Sequence, residues 1–381
     1  MDRDRDDLLL ARTLELARGG IGRVDPNPLV GAVLVKSSEV VATGFHRQYG
    51  GLHAEAEALY RAGPRARGGT LYCNLEPCAF SSPQKHQPPC AEAIVAAGVK
   101  RVVIGQIDPN PKMRGAGVAY LERAGVEVSV LPEGPLLERI WRCNKLFNTT
   151  MALHRPLVHL KSAISLDGRI AAAGGDSRWI TDERARRHAH RVRSGFDAVL
   201  IGRGTAETDD PLLTVRLGRS GGAARRGRQP RAVVLDRTAR LPLDGRLVRE
   251  RAHQLMVVTT DAASEEARLG LSDRGVTVIT LPDTAPGTVL AALWQVGIRS
   301  VLVEGGATIT TAFLRSGLWD LYSFYIAPLI LGEGISAVGD LAIAEIPGAL
   351  RLEAPQWRRI GDQQLLSGYR PGWYEDVHRT H

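Results

Sequence analysis

Three residues far apart in the chain, His53, Cys78 and Cys90, form a ligand set for one metal ion, so any fold that uses them must carry them to a single point. They sit in His53-Ala54-Glu55, Pro77-Cys78 and Pro88-Pro89-Cys90. One imidazole and two thiolates suit zinc, and three protein ligands leave a fourth position to water, which separates a catalytic site from a closed structural one. Glu55 is then a carboxylate beside that water. The competing reading is a structural zinc with His86 as fourth ligand; a structural site has no use for Glu55. In mid-helix His53 and Glu55 would not share a face. At a helix entry, where the first residue need not be helical, both can reach one point. A helix that begins at Cys90 favours its thiolate.

The pattern H-x-E followed by P-C-x-x-C marks zinc deaminases, in which the Glu carries protons and is not a ligand. This chain keeps the first half and sets eleven residues between Cys78 and Cys90 where two are expected. Four cysteines (Cys73, Cys78, Cys90, Cys143) are too few and too clustered for a secreted disulfide scaffold. Cys73, in a predicted strand, and Cys143, in a predicted helix, read as buried apolar filler. Residues 2–7 are all charged, and no apolar run reaches membrane-span length, so the expectation is a cytoplasmic protein without a membrane partner. A net charge of +8 arises mostly from arginine. Nucleic acid is one reading of that excess, but only 5% of the chain is aromatic and the charge is scattered, which disfavours a stacking platform. Small phosphorylated ligands, gripped by arginine forks, are the preferred reading.

The 381 residues suggest two domains. In the first half, helices are predicted at 7–18, 53–62, 91–97 and 117–124, with strands at 29–35, 40–43, 70–75, 102–107 and 126–130. Val24-Asp25-Pro26-Asn27-Pro28 is a turn, and 134–147 a single helix leading out. A boundary within 148–156 gives domains at 1–148 and 155–381. The second half has strands at 157–163, 198–202, 232–236, 254–259, 276–280, 301–304 and 321–326, with helices at 182–194, 287–296 and 307–316. Both patterns are α/β. The Gly/Arg-rich stretch 219–228 reads as an exposed loop.

Several stretches then coincide: Val24-Asp25-Pro26-Asn27-Pro28-Leu29-Val30-Gly31-Ala32-Val33, His53-Ala54-Glu55, Leu75-Glu76-Pro77-Cys78 and Pro88-Pro89-Cys90-Ala91-Glu92-Ala93 in the first half. In the second are Lys161-Ser162-Ala163-Ile164-Ser165-Leu166-Asp167-Gly168, Ser177-Arg178-Trp179-Ile180-Thr181, 208–216 and Val303-Glu304-Gly305-Gly306-Ala307. Together they resemble the bifunctional pyrimidine deaminase/reductase family of riboflavin biosynthesis. The resemblance implies a cytidine-deaminase-like three-layer α/β/α domain, then a dihydrofolate-reductase-like α/β domain. It implies zinc-dependent deamination of a small phosphorylated pyrimidine, with Glu55 moving the proton, and NADPH reduction of the ribosyl group to ribityl. A homo-oligomer without a nucleic-acid partner is expected.

The chain has no G-x-G-x-x-G dinucleotide fingerprint. Gly305-Gly306 between a strand and a helix near Thr308 offers backbone amides to phosphate instead, although tight strand–helix turns use glycine for other reasons. By motif match the family implies Ala163, Trp179, Thr205, Asp209, Gly306, Ala307 and Thr308 at the cofactor. Substrate contacts would fall on Ser177, Arg193, Leu213, Arg216 and Glu304, with Lys161 nearby. The plainer readings are a solvated helix face for Arg193, a turn for Asp209-Asp210-Pro211 and core packing for Trp179. Two departures from the family concern substrate grip: the lengthened loop Ser81-Ser82-Pro83-Gln84-Lys85-His86-Gln87, and Gly115-Ala116-Gly117 where Gly-Lys-Gly is usual. Lys85, helped by Lys112 or Arg114, is the expected replacement. The alternatives are a nucleic-acid or nucleoside zinc deaminase with an accessory domain, and a metal-stabilised scaffold that has lost deamination. The first predicts tight Pro-Cys-x-x-Cys spacing and an aromatic or basic platform, which the sequence lacks.

Overall fold

Runs such as Ala-Val-Leu-Val in 32–35 are apolar without alternation, which a strand tolerates only when both faces of its sheet are covered. The computed structural model describes residues 3–80, 88–217 and 229–379 and bears this out. The chain divides into two units, Met1–His154 with Tyr374–His381, and Arg155–Trp373. Among the described residues no helix is long and apolar enough to cross a membrane.

The first unit runs α1 (Arg3–Ala17), β1 (Gly31–Lys36), β2 (Glu39–Phe45), α2 (Ala54–Ala62), β3 (Thr70–Leu75), α3 (Cys90–Ala96), β4 (Arg101–Gln106), α4 (Ala116–Arg123), β5 (Glu127–Val130), α5 (Pro135–Cys143) and α6 (Lys145–Leu153). The strands lie in the order β2-β1-β3-β4-β5. β1 is antiparallel to β2 and β3, while β3, β4 and β5 are parallel. Side chains alternate between the faces of a strand, so Val33, Val35, Tyr72 and Val103 meet Leu9 and Leu10 of α1 on one side. Ala32, Leu34, Leu71, Cys73, Val102 and Ile104 meet Ala58 and Leu59 of α2, Ile94 of α3 and Leu121 of α4 on the other. These are the three expected layers. Gly44 of β2 lets α2 approach, since a Cβ there would fall 2.2 Å from the Ala54 carbonyl.

The predicted helix over 134–147 is two helices. Asn144 breaks it because its side chain is committed elsewhere: Oδ1 accepts the Leu29 amide at 2.7 Å, and Nδ2 donates to the Leu29 carbonyl at 3.0 Å. Asn74 of β3 completes the clamp, donating to the same carbonyl at 3.0 Å and accepting Gly31 N–H at 2.8 Å. The segment after Pro28 is thereby fixed. α6 carries the first unit on to His154, so position 148 lies inside a helix and not at its end.

The second unit comprises β6 (Leu157–Ile164), β7 (Arg169–Ala172), α7 (Glu183–Arg193), β8 (Ala198–Gly202), α8 (Arg203–Asp209), β9 (Arg231–Leu235), α9 (Arg246–Arg251), β10 (Leu255–Thr260), α10 (Glu265–Ser272), β11 (Thr277–Leu281), α11 (Pro286–Gln295), β12 (Ser300–Val303), α12 (Ala307–Ser316), β13 (Leu321–Ile326), β14 (Gly334–Ser336), β15 (Glu353–Ile360) and β16 (Gln363–Tyr369). Its nine-stranded sheet has the order β11-β10-β9-β8-β12-β6-β13-β16-β15. From β11 to β13 neighbours are parallel, and the β15–β16 hairpin extends the β13 edge antiparallel. α11 and α12 cover one face through Leu290, Leu293, Phe313 and Leu314, while Leu247, Val248 and Leu271 cover the other. The hairpin and α8 to α10 escaped the sequence reading. β15 is an exposed edge strand rich in arginine and lacks an apolar face.

Asn74→Ala should strip partners from the buried Leu29–Gly31 backbone, at a cost of about 1–3 kcal/mol. We expect urea unfolding of the first unit at a lower midpoint. An unchanged midpoint would contradict the clamp.

Candidate functional site

A parallel strand that ends beside a helix start presents its carboxyl-end loop to ligands, and the first unit uses this place. Cys78 follows β3, and Cys90 opens α3 directly behind Pro89. His53 is the N-cap residue of α2, with extended backbone (φ −69°, ψ 159°), so its ring leaves the helix path and meets the same point as Glu55 in the first turn. His53 Nδ1 lies 3.3 Å from Cys90 Sγ and 3.7 Å from Cys78 Sγ. The three ligand atoms all fall within 4.8 Å of one another. Ligands held about 2.0–2.3 Å from a tetrahedral zinc stand about 3.5 Å apart, so the set fits zinc.

Electrostatics agree with that chemistry. The hydrogen bond from Cys90 lowers the Cys78 thiol to about 3 against its burial, helped by His53, so Cys78 is a thiolate, the ligand form. Glu55 is 3% exposed. Burial pushes its carboxyl up, opposed by His53; such a carboxyl holds a proton more readily than a surface glutamate. Beside it His46 is buried, with its ring edge-on to His53 at 5.4 Å. Burial lowers its pKa. As a neutral ring it donates from Nδ1 to the Leu52 carbonyl at 2.9 Å and accepts Asn27 Nδ2 at 3.2 Å. Asn27 and His46 therefore border the metal set. The sequence reading took Asn27 only as part of a turn and passed over His46; the one available signal was a polar Asn between two prolines. Lys85 and His86 lie outside the described residues, as does 219–228.

In the second unit β8, β12 and β6 are neighbours, and their carboxyl ends gather the other predicted residues. Glu304, just past β12, accepts from Arg193 Nε and Nη2, each at 2.9 Å, and pairs with Lys161 of β6 at 3.7 Å. Burial alone would raise its carboxyl; Arg193 and Lys161 outweigh that and hold it at about 2. Arg193 also donates to the Thr214 carbonyl at 2.6 Å. His190 Nδ1 accepts the Arg216 amide at 3.3 Å. Burial, with Arg193 and Arg216, lowers His190 to about 4, so the ring stays a neutral acceptor. Arg216 projects into solvent, and Leu213 is buried with positive φ (51°). Ser177 donates to Asp209 at 3.1 Å. Trp179 is 69% exposed, which overturns the packing alternative, and Arg186 lies 4.3 Å over its ring.

The start of α12 is a cradle of backbone amides. Its N-cap residue is Gly306, and no side chain caps it, so the first-turn amides of Ala307 and Thr308 remain on offer. The nearest atom to a Cβ at Gly306 would be Thr205 Oγ1, 3.6 Å away, which brings Thr205 to the same cradle. The donor set fits a dinucleotide phosphate. Ala163 is half-buried on β6, in register with Tyr325.

The family described as RibD C-terminal domain matches residues 156–366, and the cytidine and deoxycytidylate deaminase zinc-binding region matches 4–106. Riboflavin biosynthesis protein RibD of Aquifex aeolicus is 37% identical over 366 residues, covering 96% of this chain and 99% of its own. The protein of the same name from Escherichia coli K12 is 36% identical, covering 93% and 95%. Among solved structures, Acinetobacter baumannii RibD (form 1) has a TM-score of 0.82 at 37% identity, covering 96% of this chain and 99% of its own. A diaminohydroxyphosphoribosylaminopyrimidine deaminase/5-amino-6-(5-phosphoribosylamino)uracil reductase from Thermotoga maritima scores 0.77 at 35% identity, covering 96% and 98%.

We expect one zinc per chain. Cys78→Ser or Cys90→Ser should lose it while the second unit keeps its fold, as read by metal analysis beside NADPH binding. Full zinc occupancy in both variants would exclude this ligand set.

Proposed function

The chain belongs to the RibD family of zinc- and NADPH-dependent riboflavin biosynthesis enzymes, and from that premise we propose how its own residues divide the work. The substrate is 2,5-diamino-6-(5-phosphoribosylamino)pyrimidin-4-one. The first unit replaces a ring amino group by oxygen, consuming water and releasing ammonia. The second reduces the ribosyl side chain to ribityl. The observation that carries the reading is the pairing of two distinct centres in one chain: a His/Cys/Cys set with a buried carboxylate, and a half-buried Glu–Arg–Lys cluster beside an uncapped, glycine-opened helix start.

In deamination His53, Cys78 and Cys90 hold the metal. Zinc bound there supplies Lewis acidity that makes water nucleophilic near neutral pH. Glu55 accepts the proton that the water gives up and passes it to the departing ring nitrogen. Its burial excludes competing bulk water and favours proton uptake. Asn27 and His46 orient the pyrimidine through their amide and imidazole edges.

In reduction the amides of Gly306, Ala307 and Thr308, with Thr205 and Asp209, hold the cofactor, and Ala163 and Trp179 border it. NADPH supplies the hydride. Lys161, paired with Glu304, stands ready to give a proton to the sugar oxygen that leaves the reacting carbon. Arg193 and Arg216 receive the substrate phosphate, with Ser177 and Leu213 lining the pocket. In the deaminase Lys85, with Lys112 or Arg114, grips the phosphate. We also infer a cytoplasmic homo-oligomer with no nucleic-acid partner; cysteines that form no disulfide support the compartment, and sparse aromatics weigh against nucleic acid.

Glu55→Gln should keep zinc and reduction but slow ammonia release at least about 10²-fold, the lower end of general acid–base contributions. Ammonia release at the wild-type rate would end the mechanism. Arg216→Ala should impair reduction only, raising KM for the deaminated intermediate more than it lowers kcat. Normal reduction kinetics in this variant would move the phosphate site elsewhere.

A further inference from the structure

Glu76 lies two residues before Cys78, is 4% exposed and has no part in the chemistry described so far. Its carboxylate is saturated by backbone. Oε2 accepts the amides of Asp108 and Gly115, both at 3.0 Å. Oε1 accepts those of Gly117 at 2.8 Å and Val118 at 3.3 Å. A fifth bond, from the Glu76 amide to the Gln106 carbonyl at 2.9 Å, fixes its own backbone to the end of β4.

These donors are the two ends of one loop. Asp108 starts it, just past β4. Gly115 is the N-cap residue of α4, in the left-handed region (φ 72°) and without a capping side chain, while Gly117 and Val118 are in the first turn. First-turn amides have no partner inside their helix. Glu76 caps α4 from another strand and ties the cap to the loop's opposite end. Within the loop, Asp108 accepts the Asn110 amide at 2.8 Å and Asn110 accepts that of Lys112 at 3.1 Å. Gly117 has to be glycine here, because a Cβ would fall 2.0 Å from the carbonyl of Pro77, the residue before the ligand Cys78. The loop is thus pressed against the segment that delivers a metal ligand.

We propose that Glu76 is a positioning residue for the deaminase: its carboxylate sets the 108–118 loop, with Asp108, Asn110, Lys112 and Arg114, at a fixed distance from the metal centre for substrate binding. This rests on the deaminase reading above and on the loop as part of the substrate grip. A neutral amide cannot serve, since its NH₂ would face two backbone donors in place of an acceptor.

The test uses the full-length zinc enzyme. Glu76→Gln should keep one zinc per chain and normal reduction, raise the deaminase KM at least about tenfold, and leave kcat within about threefold. Amide exchange at Gly115 and Gly117 should quicken in the same variant. Gly115→Ala, which strains the cap and leaves Glu76 and the ligand segment intact, should raise KM in the same direction by a smaller factor. An unchanged KM alongside faster exchange overturns the proposal, as does unchanged exchange. If Glu76→Gln loses zinc, Gly115→Ala decides: a wild-type KM there overturns the proposal, and a raised KM with zinc retained supports it. If the wild-type protein releases no ammonia, the deaminase reading itself fails, while exchange at Gly115 and Gly117 still reports on the Glu76 anchor.

Discussion

A buried carboxylate and two cysteine sulfurs, one of them a thiolate, crowd around one half-buried imidazole, and a shared cation is what holds such a set together. The rest of the first unit follows from holding that arrangement. His53 must stand outside the helix it caps, Cys90 must open a helix, and Cys78 must leave a strand, each from a different part of the chain. The covered sheet, the close approach at Gly44 and the Asn74–Asn144 clamp on Leu29 supply the rigidity. Sites built on regular elements with locked supporting contacts keep their geometry better than sites on loops.

The second unit meets the opposite problem. There the central group is an anion, Glu304, mostly withdrawn from water and stabilised by two side-chain cations. Truncating one partner of such a cluster leaves an uncompensated buried charge, commonly at about 3–5 kcal/mol. Arg193 is therefore structural in the first place, and its bond to the Thr214 carbonyl ties the cluster to the loop that carries Arg216. Both centres handle the same kind of molecule, a phosphorylated pyrimidine derivative, which accounts for an arginine-rich chain with few aromatics better than nucleic acid does.

Much of this was legible in the sequence because the chemistry is written in short, stiff motifs. His53, Cys78 and Cys90 could be read as one cluster with Glu55 beside it, and α12 was predicted at its observed limits because glycines bracket it. Legibility failed where a residue's role depends on a partner far along the chain. Asn144 breaks a helix only because Leu29 is beside it, 115 residues away in sequence. His46 looks like any surface histidine until it is seen edge-on to His53. Glu76 carries no sign, in Leu75-Glu76-Pro77-Cys78, of the four amides it will accept. β15 was missed because an exposed edge strand has no buried face to leave a period in the sequence.

The central claim, that a three-ligand zinc centre with a free position sits beside Glu55, is tested most directly by X-ray absorption at the zinc edge on the purified protein. The account predicts two sulfur neighbours at about 2.3 Å and two nitrogen or oxygen neighbours at about 2.0 Å, one of the latter exchanging when a small anion is added. A shell without sulfur, or one closed by four protein ligands that no anion perturbs, would contradict it.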